Sequence, residues 1–537
     1  MSSSTMVSEI LPTRVFGMSL ITEYTTFEDA QKYCSKQKLW ELFDGTRESI
    51  NIAHECVDRH PREQIAVQIA IADGGSESIT FGELSDWSGR YANYVRSRGI
   101  RPGERVALMV EPSLPFYVAL YGAMKAGCVA VPLFTLFGPD GLRMRVGDCN
   151  PKLLLLAPEK EDLKGDAGCD VVIADDDFMA ALEDQEITFE SATSGQDMAM
   201  FQYTSGTTRE LPEAVKHRHQ SVVTVMLAGL YGTGQRPGDR FMCPSSTAWG
   251  HGLWHGTLSP HALGISTASY AGKFDPDRLL AALEEFKITN LSAAATHYRM
   301  MKNVGTAGNY DFNLEKISFT GEPMDTDTAE WAKQTFGRYP GSFYGTTEVG
   351  VLLGSYPGAS DLPPKLGSLG MPLPGQEVDV LKPDGEPCEP DEVGEIVVKR
   401  LDGWFPTKDR GHIDAEGYFF HDGRADDVII SAGYTMGAIE IENTLLKHPD
   451  VLEAAVIGVP DEVRGLVVKG FIVSDRRSDE KFTAELQAFA QDNLSRHEYP
   501  RIVEFTKELP KTPAGKVNRK KLRDREAMAK GEQRHEC

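Results

Sequence analysis

From Ile79 onward the apolar positions alternate between helical spacing and short unbroken runs. Phe81–Arg98 reads as a helix, Arg105–Val110 (RVALMV) as a buried strand, Leu114–Lys125 as a second helix and Val129–Phe134 as a second strand. Further apolar runs at Lys152–Ala157, Asp170–Ala174 and Met198–Gln202 continue the rhythm, as do a helix over Arg278–Phe286 and a strand over Ile288–Ser292. Strand and helix in turn predict an α/β fold. Past Arg424 the pattern becomes compact. Ala438–Lys447 and Glu480–Asn493 read as helices, Val451–Val459 and Val467–Val473 as strands, which predicts a small α+β domain. The expected division is a large domain over residues 1–424 and a small one over 425–537.

Composition sharpens this picture only in part. A chain of 537 residues exceeds one ordinary core, and 41% hydrophobic with 25% charged side chains suits a globular protein. With 56 basic against 79 acidic residues the formal charge is −23, which argues against nucleic acid and anionic membrane as partners. Anionic ligands must therefore meet local cations or backbone N–H groups. The eight cysteines form no CxxC pair, so neither a zinc site nor a disulfide framework is expected. The N-terminus lacks the basic start and apolar run of a signal peptide, and no stretch of about 18 apolar residues occurs. A cytoplasmic protein without membrane insertion is expected.

Four segments carry chemistry. Tyr203-Thr204-Ser205-Gly206-Thr207-Thr208 follows a strand-like run with four hydroxyls and a glycine, the composition of a phosphate cradle, although a Ser/Thr-rich surface turn competes for those six residues. Phe343–Glu348 joins an aromatic ring able to stack on a purine, two hydroxyls, and a carboxylate able to hold Mg²⁺. The run 407–442 spaces Asp409, Arg424 and Asp426 by turns and short strands, and Pro510–Lys516 (PKTPAGK) shapes a loop that presents Lys516 near the chain end.

In this order, and with Gly321-Glu322-Pro323 between them, the segments resemble those of the adenylate-forming enzymes: acyl-CoA synthetases, peptide-synthetase adenylation domains and luciferases. The resemblance spans nearly the whole chain. It implies a large domain of β-sheets flanked by helices and a mobile C-terminal lid that pivots near Asp426. It also implies ATP, Mg²⁺ and CoA, with a small carboxylic acid that is first adenylated and then passed to the CoA thiol. Carried over by motif, Thr204, Ser205, Gly206, Thr207 and Thr208 hold the β- and γ-phosphates, Thr347 touches the α-phosphate, and Glu348 coordinates Mg²⁺. Tyr344 stacks on adenine beside Gly321, Glu322 and Pro323, Asp409 accepts from the ribose hydroxyls, and Arg424 stands beside it. Lys516 serves adenylation only, while the Ser431–Tyr434 loop, with Gly433, faces the incoming thiol. By position, Trp249, His251, Thr296 and His297 are expected to line the acid pocket, with His255 a further polar member. A packed structural role competes for each histidine.

Three departures accompany the resemblance. After Thr208 the family continues Gly-x-Pro-Lys-Gly, but here the chain reads Arg209-Glu210-Leu211-Pro212-Glu213-Ala214, one residue longer and with Glu213 where lysine is expected. Thr435 occupies a place where many relatives carry arginine. A carrier-protein acceptor and a degenerate binding protein are the competing functions. The identity of the acid is not legible, and a homodimer is left open.

Overall fold

A computed structural model of the chain describes residues 20–203, 214–321, 324, 326–346, 349–424, 428–431, 434–495, 497–510, 517 and 519–533. Three β-sheets organise it. A six-stranded sheet runs in the order Asp170–Ile173, Leu153–Leu156, Arg105–Met109, Val129–Pro132, Met198–Tyr203, Ala214–Arg218, parallel except for its last strand. The parallel strands read as near-continuous apolar runs because helices cover both faces. Leu153 to Leu156 and Val106 to Met109 are all fully buried.

The helix Phe81–Ser97 begins at a reciprocal cap, in which Thr80 Oγ1 accepts from the Glu83 N–H at 3.1 Å and Glu83 Oε2 accepts from the Thr80 N–H at 2.9 Å. It packs Tyr91 and Val95 against Phe116, Tyr117 and Leu120 of the helix Leu114–Lys125 in the largest apolar core. These elements fall within one or two residues of the positions that periodicity predicts.

A thirteen-stranded sheet fills the middle of the molecule. Its central strands Asn290–Ala294, Lys316–Thr320 and Gly341–Thr346 are parallel; beyond them lie antiparallel strands, among them Gly394–Arg400, Gly403–Ile413 and Phe419–Arg424. The hairpin register sets Asp409 directly opposite Arg424. Residues 428–533 contribute a separate five-stranded sheet with the helices Ala438–Leu445 and Glu480–Asn493. The architecture is α/β, with a large sheet-and-helix N-terminal domain and a smaller C-terminal one.

Lys408, immediately before Asp409, holds φ at +65° on an exposed position. A side chain in that left-handed region costs roughly 1 kcal/mol. Lys408→Gly is therefore expected to raise stability by about 0.5–1 kcal/mol, read as a small increase in the thermal midpoint; a fall would show that the lysine side chain compensates for its backbone.

Candidate active site

Two of the four motif segments, and the Gly321-Glu322-Pro323 run between them, follow the carboxyl ends of strands, where ligand crevices form in open α/β sheets. The hydroxyl-rich segment 204–208 follows Met198–Tyr203, Gly321 follows Lys316–Thr320, and Thr347–Glu348 follow Gly341–Thr346. Residues 204–213, Glu322, Pro323, Thr347, Glu348, Asp426, Gly433 and Lys516 lie outside the described residues, as does the Arg424 side chain. Their flanks are informative. Tyr203, Val215, Gly321, Met324, Thr346 and Val349 all border one cavity of about 850 Å³. Gly321 takes φ +93°, a value that only glycine adopts without strain.

At one part of this cavity Tyr344 Oη donates to Asp409 Oδ2 at 2.6 Å, and His421 Nε2 lies 3.5 Å from Asp409 Oδ1. Asp409 is 3% exposed. Its N–H donates to Thr407 Oγ1 at 3.2 Å, and that hydroxyl donates to the Ile396 carbonyl at 2.7 Å, so the strand pair fixes the backbone that carries the carboxylate. Tyr344, Asp409 and His421 all face the cavity. Sequence reasoning paired Asp409 with Arg424 and placed Tyr344 on a purine; the tyrosine–aspartate bond and His421 were not anticipated, because they arise across strands 65 residues apart.

The acid-pocket expectations divide. Trp249 and His251 line the cavity, and so does His255. His251 Nδ1 is 3.0 Å from Ser245 Oγ and its Nε2 is 2.8 Å from Ser292 Oγ, so it offers a ring face and no open nitrogen. Thr296 and His297 do not border the cavity and are corrected here. The His297 Nδ1 accepts the Ala294 N–H at 3.1 Å, capping the helix Ala295–Val304, and its ring packs on Phe274 at 4.6 Å; Thr296 is buried beside Arg299. The helix start claims both residues before any ligand could.

Gln202, His217 and Trp254 border the same space. They were missed because His217 faces inward only through the pairing of Ala214–Arg218 with Met198–Tyr203. Two π-helical turns, Ala228–Gly232 and His251–Leu258, widen the backbone around this part of the wall.

The C-terminal domain closes the remaining side. Ile430, Tyr434, His497 and Glu498 border the cavity. His497 stacks on Tyr434 at 4.1 Å and meets Phe134 at 5.9 Å, and burial pushes its imidazole down to about 3. The domain docks on the helix Pro139–Cys149 through a bridge between Phe137 and Ser495, a bond from the Gly138 N–H to the Leu494 carbonyl, and an ion pair of Lys447 Nζ with Asp140 Oδ2 at 2.7 Å. Arg145, 1% exposed, lies over the Phe137 ring, and its charge opposes the burial that raises the Glu498 carboxyl.

Among the described residues the one candidate metal cluster is His448, Asp450 and Glu485, and Arg476 already pairs with both carboxylates. It does not suit a magnesium site. Thr346 and Val349, which flank Thr347 and Glu348 in the chain, border the cavity. Among the described residues no helix is long and apolar enough to cross a membrane.

Known proteins share this chain's sequence and fold. The AMP-binding enzyme family matches residues 53–402, and the AMP-binding enzyme C-terminal domain matches 440–516. An acetyl-coenzyme A synthetase of Bacillus subtilis is 28% identical over 520 residues, covering 88% of this chain and 90% of its own length. A 4-hydroxybutyrate–CoA ligase of Metallosphaera sedula is 31% identical over 493 residues, covering 85% and 86%. The crystal structure of an acyl-CoA synthetase from Brucella canis superposes with a TM-score of 0.70 at 29% identity, covering 94% of this chain and 99% of that one. With a cavity at the carboxyl ends of its strands and a second domain closing it, the chain belongs to the AMP-binding, adenylate-forming enzyme family and is of its acyl-CoA synthetase type.

Proposed function

We infer that this AMP-forming acid–CoA ligase runs two half-reactions in one cavity, and that the lid arrangement described above serves the second. In the first, a carboxylate oxygen of the acid attacks the α-phosphorus of ATP and pyrophosphate leaves. In the second, the CoA sulfur attacks the acyl carbon and AMP leaves with the electron pair of the broken C–O bond. Neither step needs a protein nucleophile, so the residues work by alignment and charge. Asp409, held by the strand pair and by Tyr344, would orient the ribose, with Arg424 opposite it in register. Thr204–Thr208 and Thr347 would hold the phosphates. Glu348 would hold Mg²⁺, which offsets charge on the leaving pyrophosphate. The boundary is placed between Arg424 and Ala425, with Asp426 as pivot, and a cytoplasmic location is kept from the sequence.

One observation carries the assignment of the lid. Tyr434, at the end of the thiol-facing loop, borders the cavity, whereas Leu509 and Val517, on either side of the segment that ends in Lys516, pack into the C-terminal domain's own core. Gly138 offers the test. A Cβ there would meet the backbone carbonyl of Asp492, a contact that exists only while the lid is docked as described. Gly138→Ala is expected to slow acyl transfer from preformed acyl-adenylate to CoA by at least about tenfold, equivalent to about 1.4 kcal/mol, and to leave pyrophosphate release within about twofold. Rapid-quench measurement of the two steps decides it; equal slowing of both would mean that the docked arrangement serves adenylation as well.

A further inference from the structure

Two imidazoles on the cavity wall have no hydrogen-bond partner among the described residues. His217 rests on the Trp254 ring at 4.7 Å, with its Nε2 walled in and unpaired. His255 sets its edge on Phe343 at 5.4 Å, and its Nδ1 is likewise walled in and unpaired. Native proteins pair nearly all such buried groups, and each exception is costly. His251, beside them, shows the ordinary solution, with both nitrogens satisfied by serines.

The surroundings narrow what these rings can receive. Burial pushes both histidines down to about 4, so each is a neutral ring at neutral pH with one donor and one acceptor nitrogen. The Trp254 indole N–H donates to Gln202 Oε1 at 3.1 Å, which ties a third polar group into the same wall. Trp249, Trp254 and Phe343 supply ring faces between them. A plain alkyl chain would fill this space and leave the imidazoles unsatisfied. A second carboxylate would find neutral rings where it needs a cation. The walled-in nitrogens cannot be reached, so His217 Nδ1 and His255 Nε2 are the atoms a ligand can meet, and a hydroxyl, which both donates and accepts, matches two neutral imidazoles there.

We propose that the acid activated by this enzyme carries a hydroxyl group on a ring or a short chain, and that His217 and His255 recognise that group. The proposal rests on the ligase reading for the acid itself, and the test separates the two. Matched pairs are compared in kcat/KM for CoA-dependent AMP release: benzoate against its 3- and 4-hydroxy forms, and pentanoate against 5-hydroxypentanoate, with octanoate and adipate as rivals. The hydroxylated member is expected to lead by at least about tenfold, because a site built to pair a hydroxyl penalises its absence. His217→Phe and His255→Phe should reduce that lead, read as the ratio of kcat/KM within each matched pair, to about twofold or less, and neither should lower the thermal midpoint, since each removes an unpaired buried nitrogen. His217→Asn, which keeps a polar group, should retain part of the preference, and leucine replaces any phenylalanine variant that does not fold.

Preference for octanoate, adipate or an unsubstituted partner, or a hydroxyl preference unchanged in both variants, overturns the proposal and leaves the ligase reading standing. If no acid turns over, calorimetry with the hydroxy acids decides. Binding by the wild type that is lost in the phenylalanine variants upholds the pocket and removes the ligase reading; binding that is absent or equal in all forms overturns the pocket as well.

Discussion

Alanine at Lys516 is expected to slow acyl-adenylate formation by at least about a hundredfold, equivalent to about 2.7 kcal/mol of lost transition-state stabilisation, while transfer from supplied acyl-adenylate to CoA stays within about twofold. Lys516 itself lies outside the described residues, so the expectation rests on its motif and on charge. In a chain of net charge −23, a site that handles triphosphate and carboxylate together needs mobile positive charge. A lysine near the end of a moving domain can enter for one step and leave for the next. Pyrophosphate exchange, which reports adenylation alone, and single-turnover thioester formation separate the two rates. An equal loss in both would mean that Lys516 supports the fold or the lid, not one half-reaction.

Acid should unfold this protein early. Of the thirteen histidines in the sequence, His219, His251 and His261 are no more than 3% exposed, and burial pushes the first to about 4, the third to about 3 and His251 well down. Each ring is held by its position: the Ile52 N–H donates to His219 Nδ1 at 3.1 Å, His261 Nε2 lies 3.1 Å from the Ala66 carbonyl, and two serines hold His251. The unfolded chain takes up protons on these rings below about pH 6.5, whereas the folded chain does not until near pH 4 or lower. Stability is therefore present above that window and is lost as pH falls through it. Three withheld protons cost about 4 kcal/mol per pH unit once the window is entered, against a typical total of about 5–15 kcal/mol. Glu111 and Glu498, whose buried carboxyls are held above the usual range, act in the opposite sense: the folded chain protonates them before the unfolded chain does, so they return part of the stability as pH falls from their raised values to the usual carboxylate range. The thermal midpoint should drop steeply below about pH 6 and folding should fail near pH 5; a midpoint that is flat down to pH 4.5 would show that these rings take up protons within the fold.

The alternating half of the fold is legible in the chain because each strand there is a closed apolar run and each helix a full amphipathic or buried pattern. Leu114–Lys125 and Glu480–Asn493 are found at the bounds their periodicity predicts. The antiparallel strands from Ser368 to Arg424 are harder to read, since one face is half-exposed and register, not composition, defines them. Gly403–Ile413 alternates buried and exposed positions through Thr407, Asp409 and Gly411, and only its pairing shows which face carries the aspartate. The π-helical turn His251–Leu258 breaks the 3.6-residue period, which is why His251 and His255 can be assigned to a pocket by position but not told apart by role.

Local chemistry along the chain determines the family, the order of its motifs and the alternation that builds the sheets, because phosphate loops, strand periods and caps depend on neighbours a few residues away. Tertiary structure alone decides that Thr296 and His297 leave the pocket for a helix start, that His217 enters it, that Tyr344 anchors Asp409, and that Tyr434 and His497 close the cavity from the second domain. Each of these depends on which distant groups come within a few ångströms, and hydrogen bonds and burial act only over that range.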